Sequence, residues 1–194
     1  MKKWWGLLGI VGMVFLLTRC CGSGVSEDQM KVDLQAFGGE TIVSVACGSN
    51  RDSYDLEVSE LTVQERERDG NRMTVYCAVT MENEAYRYTA DETLHYTYAK
   101  GTGWGLEACE AKNDTLIPRT GVTKEIADKE MSRYSFDTCE RIGCRFDEEY
   151  CETQWIYHVS DRDDGYEGNV ELEYFWYSEG KYGYWIPELV YDRE

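Results

Sequence analysis

The eight cysteines are the residues of this sequence with the widest choice of chemistry. Cys20 and Cys21 are adjacent, and the other six lie between residues 47 and 151. Cysteines pair in disulfides, bind metals or carry lipids. A zinc site would need CxxC spacing or histidines nearby in the sequence, and neither is present. The sequence therefore predicts no metal site and no cofactor.

The segment before the paired cysteines, MKKWWGLLGIVGMVFLLTR, has the composition of an export signal. Lys2 and Lys3 form a positive start, residues 4–17 form an apolar run, and small polar residues follow the cysteines. This is the three-part pattern of a secretory signal. The run is shorter than the roughly 20 residues that a helix needs to cross a bilayer. We therefore expect removal of this segment rather than a permanent span.

The end of the signal resembles the lipobox of bacterial lipoproteins, in which a Leu stands three residues before a Cys that receives diacylglycerol. Leu17 and Thr18 match this pattern, whereas Arg19 stands where the family has Gly, Ala or Ser. The resemblance implies lipidation at Cys20, with Cys21 a bystander or a second acylation site. It also implies a location on the outer face of the cell membrane. An ordinary secreted protein and one anchored by an uncleaved signal are the alternatives.

Charge and composition indicate a folded acidic protein. The formal net charge is −17, which argues against nucleic acid and anionic lipid headgroups as partners because the chain would be repelled by both. Acidity favours cations or a cationic protein as partner. A hydrophobic content of 42% with 13% aromatic residues is enough to build a core.

Two segments of the sequence resemble each other in pattern. SEDQMKVDLQAF and TKEIADKEMSRYSF each predict a short amphipathic helix, the first with Ser26 at its N-cap. Each is followed by strand-like alternation, as in Leu94, Tyr96 and Tyr98. Gly101 and Gly103, and likewise Gly180 and Gly183, predict turns before the last strands, which carry Trp104 and Trp185.

This pattern predicts an α+β fold of two tandem units, each a short helix packed on a meandering antiparallel sheet of about four strands. It resembles the cystatin-like or NTF2-like folds and the tandem-repeat surface lipoproteins of Gram-positive bacteria. The predicted divisions are signal 1–19, tether 20–25, first unit 26–117 and second unit 118–194. The first unit has an insertion, GGETIVSVACGSNRDS, which predicts an extra strand pair or a binding loop.

The aromatic strands leave two roles open. Alternating Tyr and Trp are good strand formers that fill a core, and they also stack on ligands. If a stacking groove exists, we expect Tyr174, Trp176 and Tyr184 to be its exposed members.

The six remaining cysteines are disulfide candidates, because an even number in an exported chain permits pairing. Cys144 with Cys151 is one plausible pair and Cys77 with Cys109 a second. Cys47 and Cys139 would then pair or stay free. Buried thiols are the alternative.

Few residues indicate catalysis. His95 and His158 lie in predicted strands of different units, and no catalytic motif surrounds them. DRDDGYEG has alternate carboxylates but lacks the closing Glu of an EF-hand, which favours a hairpin turn.

We therefore expect no enzyme. The predicted function is a lipid-tethered binding or adaptor module of the cell envelope, whose partner is an envelope or secreted protein. An immunity or inhibitor lipoprotein against a cationic toxin or enzyme is one alternative. A small-molecule enzyme with an NTF2-like pocket is the other.

Overall fold

The computed structural model describes residues 24–191, and strands make up most of it. About 65% of the structure is strand and 10% helix. In chain order the elements are α1 (Glu27–Gln35), β1 (Ile42–Cys47), β2 (Asn50–Asp55), β3 (Glu57–Asp69), β4 (Arg72–Glu82), β5 (Tyr86–Ala99), β6 (Gly103–Pro118), α2 (Lys124–Met131), β7 (Thr138–Asp147), β8 (Glu152–Asp161), β9 (Tyr166–Glu179) and β10 (Tyr182–Tyr191).

The strands form two sheets. The four-stranded sheet has the order β3-β4-β5-β6, and each strand pairs antiparallel with the next. The six-stranded sheet has the order β2-β1-β10-β9-β8-β7, and its neighbours are antiparallel except β1 and β10, which run parallel. The runs β3–β6 and β7–β10 are therefore both meanders.

The expected α+β class, with its cystatin-like or NTF2-like helix-on-sheet units, is wrong. The helices have 9 and 8 residues, whereas single strands reach 16 residues. Among the buried apolar side chains of residues 24–191, the two helices contribute only Met30, Leu34, Ala127 and Met131. The core is built mainly from strand residues because long alternating runs of Val, Tyr, Leu and Met bury one face of each sheet. The structure is a mostly β protein with two small helices.

Each helix covers part of one sheet. Ser26 caps α1 as expected, since its Oγ accepts a hydrogen bond from the Gln29 amide at 3.2 Å. Gln35 then ties α1 to the start of β3 by donating to the Leu56 carbonyl and accepting from the Val58 amide. In the second half, the Tyr157 hydroxyl on β8 donates to Asp128 of α2. α2 therefore lies on the inner face of the six-stranded sheet.

The insertion in the first half forms a strand pair, which was one of its two expected structures. β1 and β2 form a hairpin, and β1 pairs with β10 from Ser44 opposite Tyr182 to Cys47 opposite Trp185. The division at residues 26–117 and 118–194 stays a prediction. The hairpin lies in the first of these ranges but extends the sheet of the second.

The two sheets meet through a row of aromatic rings. Ring centroids lie 4.7 Å apart for Tyr54 and Tyr86, 5.9 Å for Tyr86 and Trp176, and 5.1 Å for Trp176 and Trp185. Trp176 Nε1 donates a hydrogen bond of 3.0 Å to the Leu116 carbonyl on β6. Because an indole N–H needs a partner when it is covered, this bond fixes the ring at the junction.

Candidate functional site

The outer face of the six-stranded sheet carries exposed apolar side chains. Successive side chains of a strand point to opposite faces. On β10, Gly183 and Trp185 are buried toward the inside, whereas Tyr184, Ile186 and Glu188 are exposed on the outside. Scattered apolar side chains are normal on a protein surface, but a contiguous group indicates a binding site.

Three cross-strand pairs stand in a row on this outer face. Tyr184 lies opposite Tyr177, Ile186 opposite Phe175, and Glu188 opposite Glu173. We call these residues, taken together, the aromatic–acidic face.

The two tyrosines form a stacked platform. Their ring centroids lie 5.8 Å apart at an interplanar angle of 12°. Tyr177 is 51% exposed and Tyr184 is 40% exposed, so the platform is open to solvent. A flat pair of tyrosines offers apolar surface and π faces to apolar groups or cations with little loss of side-chain entropy on binding.

An acidic pair, Glu173 and Glu188, lies beyond Phe175 and Ile186 on the same face. Carboxylates directly opposite on neighbouring strands repel each other. Glu173 accepts a hydrogen bond of 3.1 Å from Gln154 Nε2, which holds one of the two carboxylates in place. The pair Glu173 and Glu188 would be relieved by a cation placed between them. The face therefore carries a tyrosine platform at one end, an apolar pair in the middle and two carboxylates at the other end.

A second unusual feature is a buried carboxylate between the two sheets. Glu92 on β5 is 2% exposed, and within residues 24–191 neither of its side-chain oxygens has a hydrogen-bond partner. Burial raises the pKa of the Glu92 carboxyl, Lys181 opposes this shift, and Glu40 and Asp114 add to it.

Lys181 is the cation of this junction. It forms an ion pair with Glu40, and its Nζ lies 5.6 Å from the ring centroid of Tyr88. The Tyr88 hydroxyl in turn donates to Asp114 at 3.0 Å. These contacts tie the β9–β10 turn to the four-stranded sheet and to the segment after α1. We interpret this cluster as structural, because the ammonium group of Lys181 already pairs with the acidic side chain of Glu40.

An open groove of about 650 Å³ runs between α2 and strands β7 and β8. Its polar centre is Asp128, which accepts hydrogen bonds from Tyr157 at 3.1 Å, from Lys124 at 2.8 Å and from Arg141 at 3.0 Å. The Lys124 ammonium and the Arg141 guanidinium lower the pKa of the Asp128 carboxyl. A carboxylate held by three donors is stabilised in its ionised form, which suits a structural ion pair rather than a proton-transfer role.

Neither histidine lies in this groove. His95 Nδ1 is 3.4 Å from Thr74 Oγ1, and His158 Nδ1 is 3.1 Å from Asn169 Oδ1 on the outer face of the six-stranded sheet. The structure therefore places neither histidine beside Asp128 in the groove. In residues 24–191, no group of three or more His, Cys, Asp or Glu side chains is placed to hold a metal ion.

The three expected stacking residues are separated by the structure. Tyr174 is fully buried and belongs to the core, and Trp176 is held at the sheet junction. Only Tyr184 is exposed. Its stacking partner Tyr177 and the pair Glu173 and Glu188 were not identified from the sequence. The alternation of every second residue along β9 and β10 could have indicated that these side chains share the outer face.

The six described cysteines are free thiols in this structure. Cys77 and Cys109 lie on β4 and β6, with β5 between them. Strands two positions apart are separated by about 9–10 Å, beyond the Cα distance that a disulfide spans. Cys144 lies on β7 opposite Trp155, and Cys151 lies in the turn before β8. Cys77 and Cys109 are thus too far apart to pair in this arrangement, whereas the pairing of Cys144 with Cys151 stays a prediction, as does the expectation that Cys47 and Cys139 pair or stay free.

The DRDDGYEG segment forms the expected turn between β8 and β9, in which Asp161 accepts hydrogen bonds from the amides of Asp163 and Asp164. Cys20, Cys21 and the proposed signal lie outside the described residues. Neither helix of residues 24–191 is long and apolar enough to cross a membrane.

No protein-family model, curated protein or solved structure matches this chain. The functional assignment therefore depends on the chain's own residues.

Proposed function

We propose that this protein is a lipid-tethered, extracytoplasmic binding module whose aromatic–acidic face holds a basic segment of an envelope or secreted protein. The observation that carries this proposal is that the stacked pair Tyr177 and Tyr184 shares one exposed sheet face with the opposed carboxylates Glu173 and Glu188. The tether is proposed from the lipobox-like residues that end at Cys20. We propose binding rather than catalysis.

A Lys or Arg side chain of the partner would lie between the two carboxylates. Its charge relieves their repulsion, and a charge-assisted hydrogen bond adds to the attraction. Apolar residues of the same segment would cover the two tyrosines, Phe175 and Ile186. Side chains on one face of an extended segment recur at roughly 7 Å, which matches the spacing of successive pairs along β10.

The charge of the whole chain supports the same partner chemistry. A formal net charge of −17 attracts a basic protein during diffusion and speeds its encounter at low ionic strength. An immunity or inhibitor lipoprotein that neutralises a cationic toxin or enzyme would use this face in the same way. The identity of the captured protein separates an adaptor from an inhibitor.

Site-specific photocrosslinking in the native membrane tests the binding face. A photoreactive phenylalanine analogue replaces Tyr184 in one variant and Tyr150 in a matched control. Tyr150 is also exposed, at 67%, but it lies in the turn between β7 and β8. We expect one dominant exported protein to be captured at position 184 and not at position 150.

Charge variants then test the chemistry. Replacing both Glu173 and Glu188 by Gln should reduce capture at position 184 about tenfold or more, because two charge-assisted contacts are lost. Added salt should weaken capture of the same protein. Equal capture at positions 184 and 150, or capture that does not depend on the two carboxylates, would contradict the proposed face.

Membrane fractionation of the Cys20→Ala variant tests the tether. We expect the unmodified chain to carry an acylated N-terminal cysteine and to sediment with membranes, and the variant to lose acylation. If the variant stays unprocessed and equally membrane-bound, the lipoprotein part of the proposal is wrong.

A further inference from the structure

A small basic surface lies at one end of the four-stranded sheet. Arg66 and Arg68, near the end of β3, are exposed. Arg68 Cζ lies 5.2 Å from the ring centroid of Trp104, and Trp104 contacts Tyr98 with centroids 5.4 Å apart. Tyr98 is 45% exposed. We call Arg66, Arg68, Tyr98 and Trp104 the basic–aromatic end.

Strand register places both arginines on the face that carries α1. Arg66 lies opposite Val75, and Arg68 lies opposite Met73. Val75 and Met73 are buried in the core, and residues directly opposite on antiparallel strands point to the same face. The arginines therefore extend the inner face of the sheet beyond the end of the core.

The acidic residues of the same hairpin point the other way. Glu65, Glu67 and Asp69 alternate with the two arginines along β3 and therefore project from the opposite face. Glu67 also accepts a hydrogen bond from Tyr76 on that opposite face. Alternation thus separates the charges of β3 into a basic side and an acidic side.

The proposed tether, residues 20–25, ends next to the basic side. A Cβ added to Gly24 would lie 3.2 Å from Arg66 Nη1 and 3.5 Å from Met73 Sδ. Cys20 precedes Gly24 by four residues. An extended residue spans at most about 3.6 Å, so a lipid on Cys20 would hold this end within roughly 14 Å of the membrane surface.

We infer that the basic–aromatic end contacts the anionic lipid headgroups of the membrane to which the chain is tethered. This inference rests on the proposed lipid tether at Cys20. Tyr and Trp concentrate at the membrane–water interface, and arginines are attracted to anionic headgroups. The nearby acidic residues Glu65, Glu67 and Asp69 project from the opposite face, and screening weakens the repulsion from charges farther than about 10 Å away.

The test uses the full acylated chain in vesicles of phosphatidylglycerol and phosphatidylcholine, with brominated acyl chains that quench tryptophan. The difference in quenching between the unmodified chain and Trp104→Phe reports the Trp104 contribution. The double variant Arg66→Gln/Arg68→Gln keeps every tryptophan and tests the same contact without altering the core. The matched control is Arg145→Gln/Arg162→Gln, which removes two charges from the other sheet.

We expect the tryptophan quenching to depend on Trp104 and to be weaker in vesicles of phosphatidylcholine alone. The Trp104 quenching should fall at least about twofold in the Arg66→Gln/Arg68→Gln variant and should not fall in the Arg145→Gln/Arg162→Gln control. Flotation with the vesicles separately reports the tether. If the chain floats but Trp104 is not quenched, or if the quenching does not depend on the two arginines, the proposed headgroup contact is wrong and the proposed tether stands. If the chain and Cys20→Ala both fail to float, the tether and the contact are wrong together.

Discussion

Gly183 of β10 lies directly beneath the indole of Trp176, so that a Cβ added at residue 183 would stand 2.0 Å from a ring carbon. This glycine was expected in a turn, but it lies inside a central strand and leaves room for the tryptophan that joins the two sheets. The absence of a side chain at one residue thus determines where the other ring can lie.

Gly183→Ala should therefore destabilise the protein by about 1–3 kcal/mol, because the extra methyl group forces Trp176 from the junction. Urea denaturation measures this change. Gly105→Ala on β6 is the matched control, since a Cβ there meets no atom within 4 Å. Equal stability of the two variants would contradict the close packing of Trp176.

The buried Glu92 should make stability depend on pH. Burial raises the pKa of this carboxyl in the folded state, so ionisation above the unfolded pKa costs stability. Glu92→Gln should gain about 1–3 kcal/mol relative to the unmodified chain at pH 7.5, and this gain should shrink as the pH falls toward 4. Denaturation curves of both proteins across this range, with Glu110→Gln on β6 as an exposed control, measure the difference. A gain that does not vary with pH would contradict a raised pKa of Glu92 in the folded protein.

Asp128 should show the opposite dependence. Its pKa is lowered by Lys124 and Arg141, so its stabilising effect is present at neutral pH and disappears as the pH falls through the native pKa. Because its side chain is 38% exposed, solvent screening limits the effect, and Asp128→Asn should cost about 1 kcal/mol or less at pH 7. The thermal midpoint of Asp128→Asn should lie below that of the unmodified chain at pH 7, and the two midpoints should approach each other as the pH falls into the acid range. Asp52→Asn on the exposed β2 strand should have no such effect.

The cysteines should differ sharply in reactivity if they are thiols. Cys139 and Cys144 are exposed, whereas Cys47 and Cys77 are buried with pKa values raised by burial to about 12. Alkylation of the folded protein at pH 8, followed by peptide mass spectrometry, should label the exposed pair quickly and the buried pair only after unfolding. Labelling of Cys144 only after reduction would instead support the disulfide predicted from the sequence.

Local features were predicted well because neighbouring residues decide them. The start of α1 at Ser26 follows from its capping hydroxyl, and the inward side of β5 follows from the alternation of Leu94 and Tyr96, which are both buried. The turn at DRDDGYEG follows from short polar side chains that bond their own backbone. The acidity of the chain and its strand-rich aromatic segments can also be read without a structure.

The contacts between distant segments could not be predicted in this way. Pairing of β1 with β10 joins residues more than a hundred positions apart, and no local preference selects that partner. The burial of Glu92 and the position of Trp176 both depend on how the two sheets pack against each other. Local propensity and alternation describe which face of a strand is apolar, but only the packed chain decides which faces are covered and which stay open to a partner.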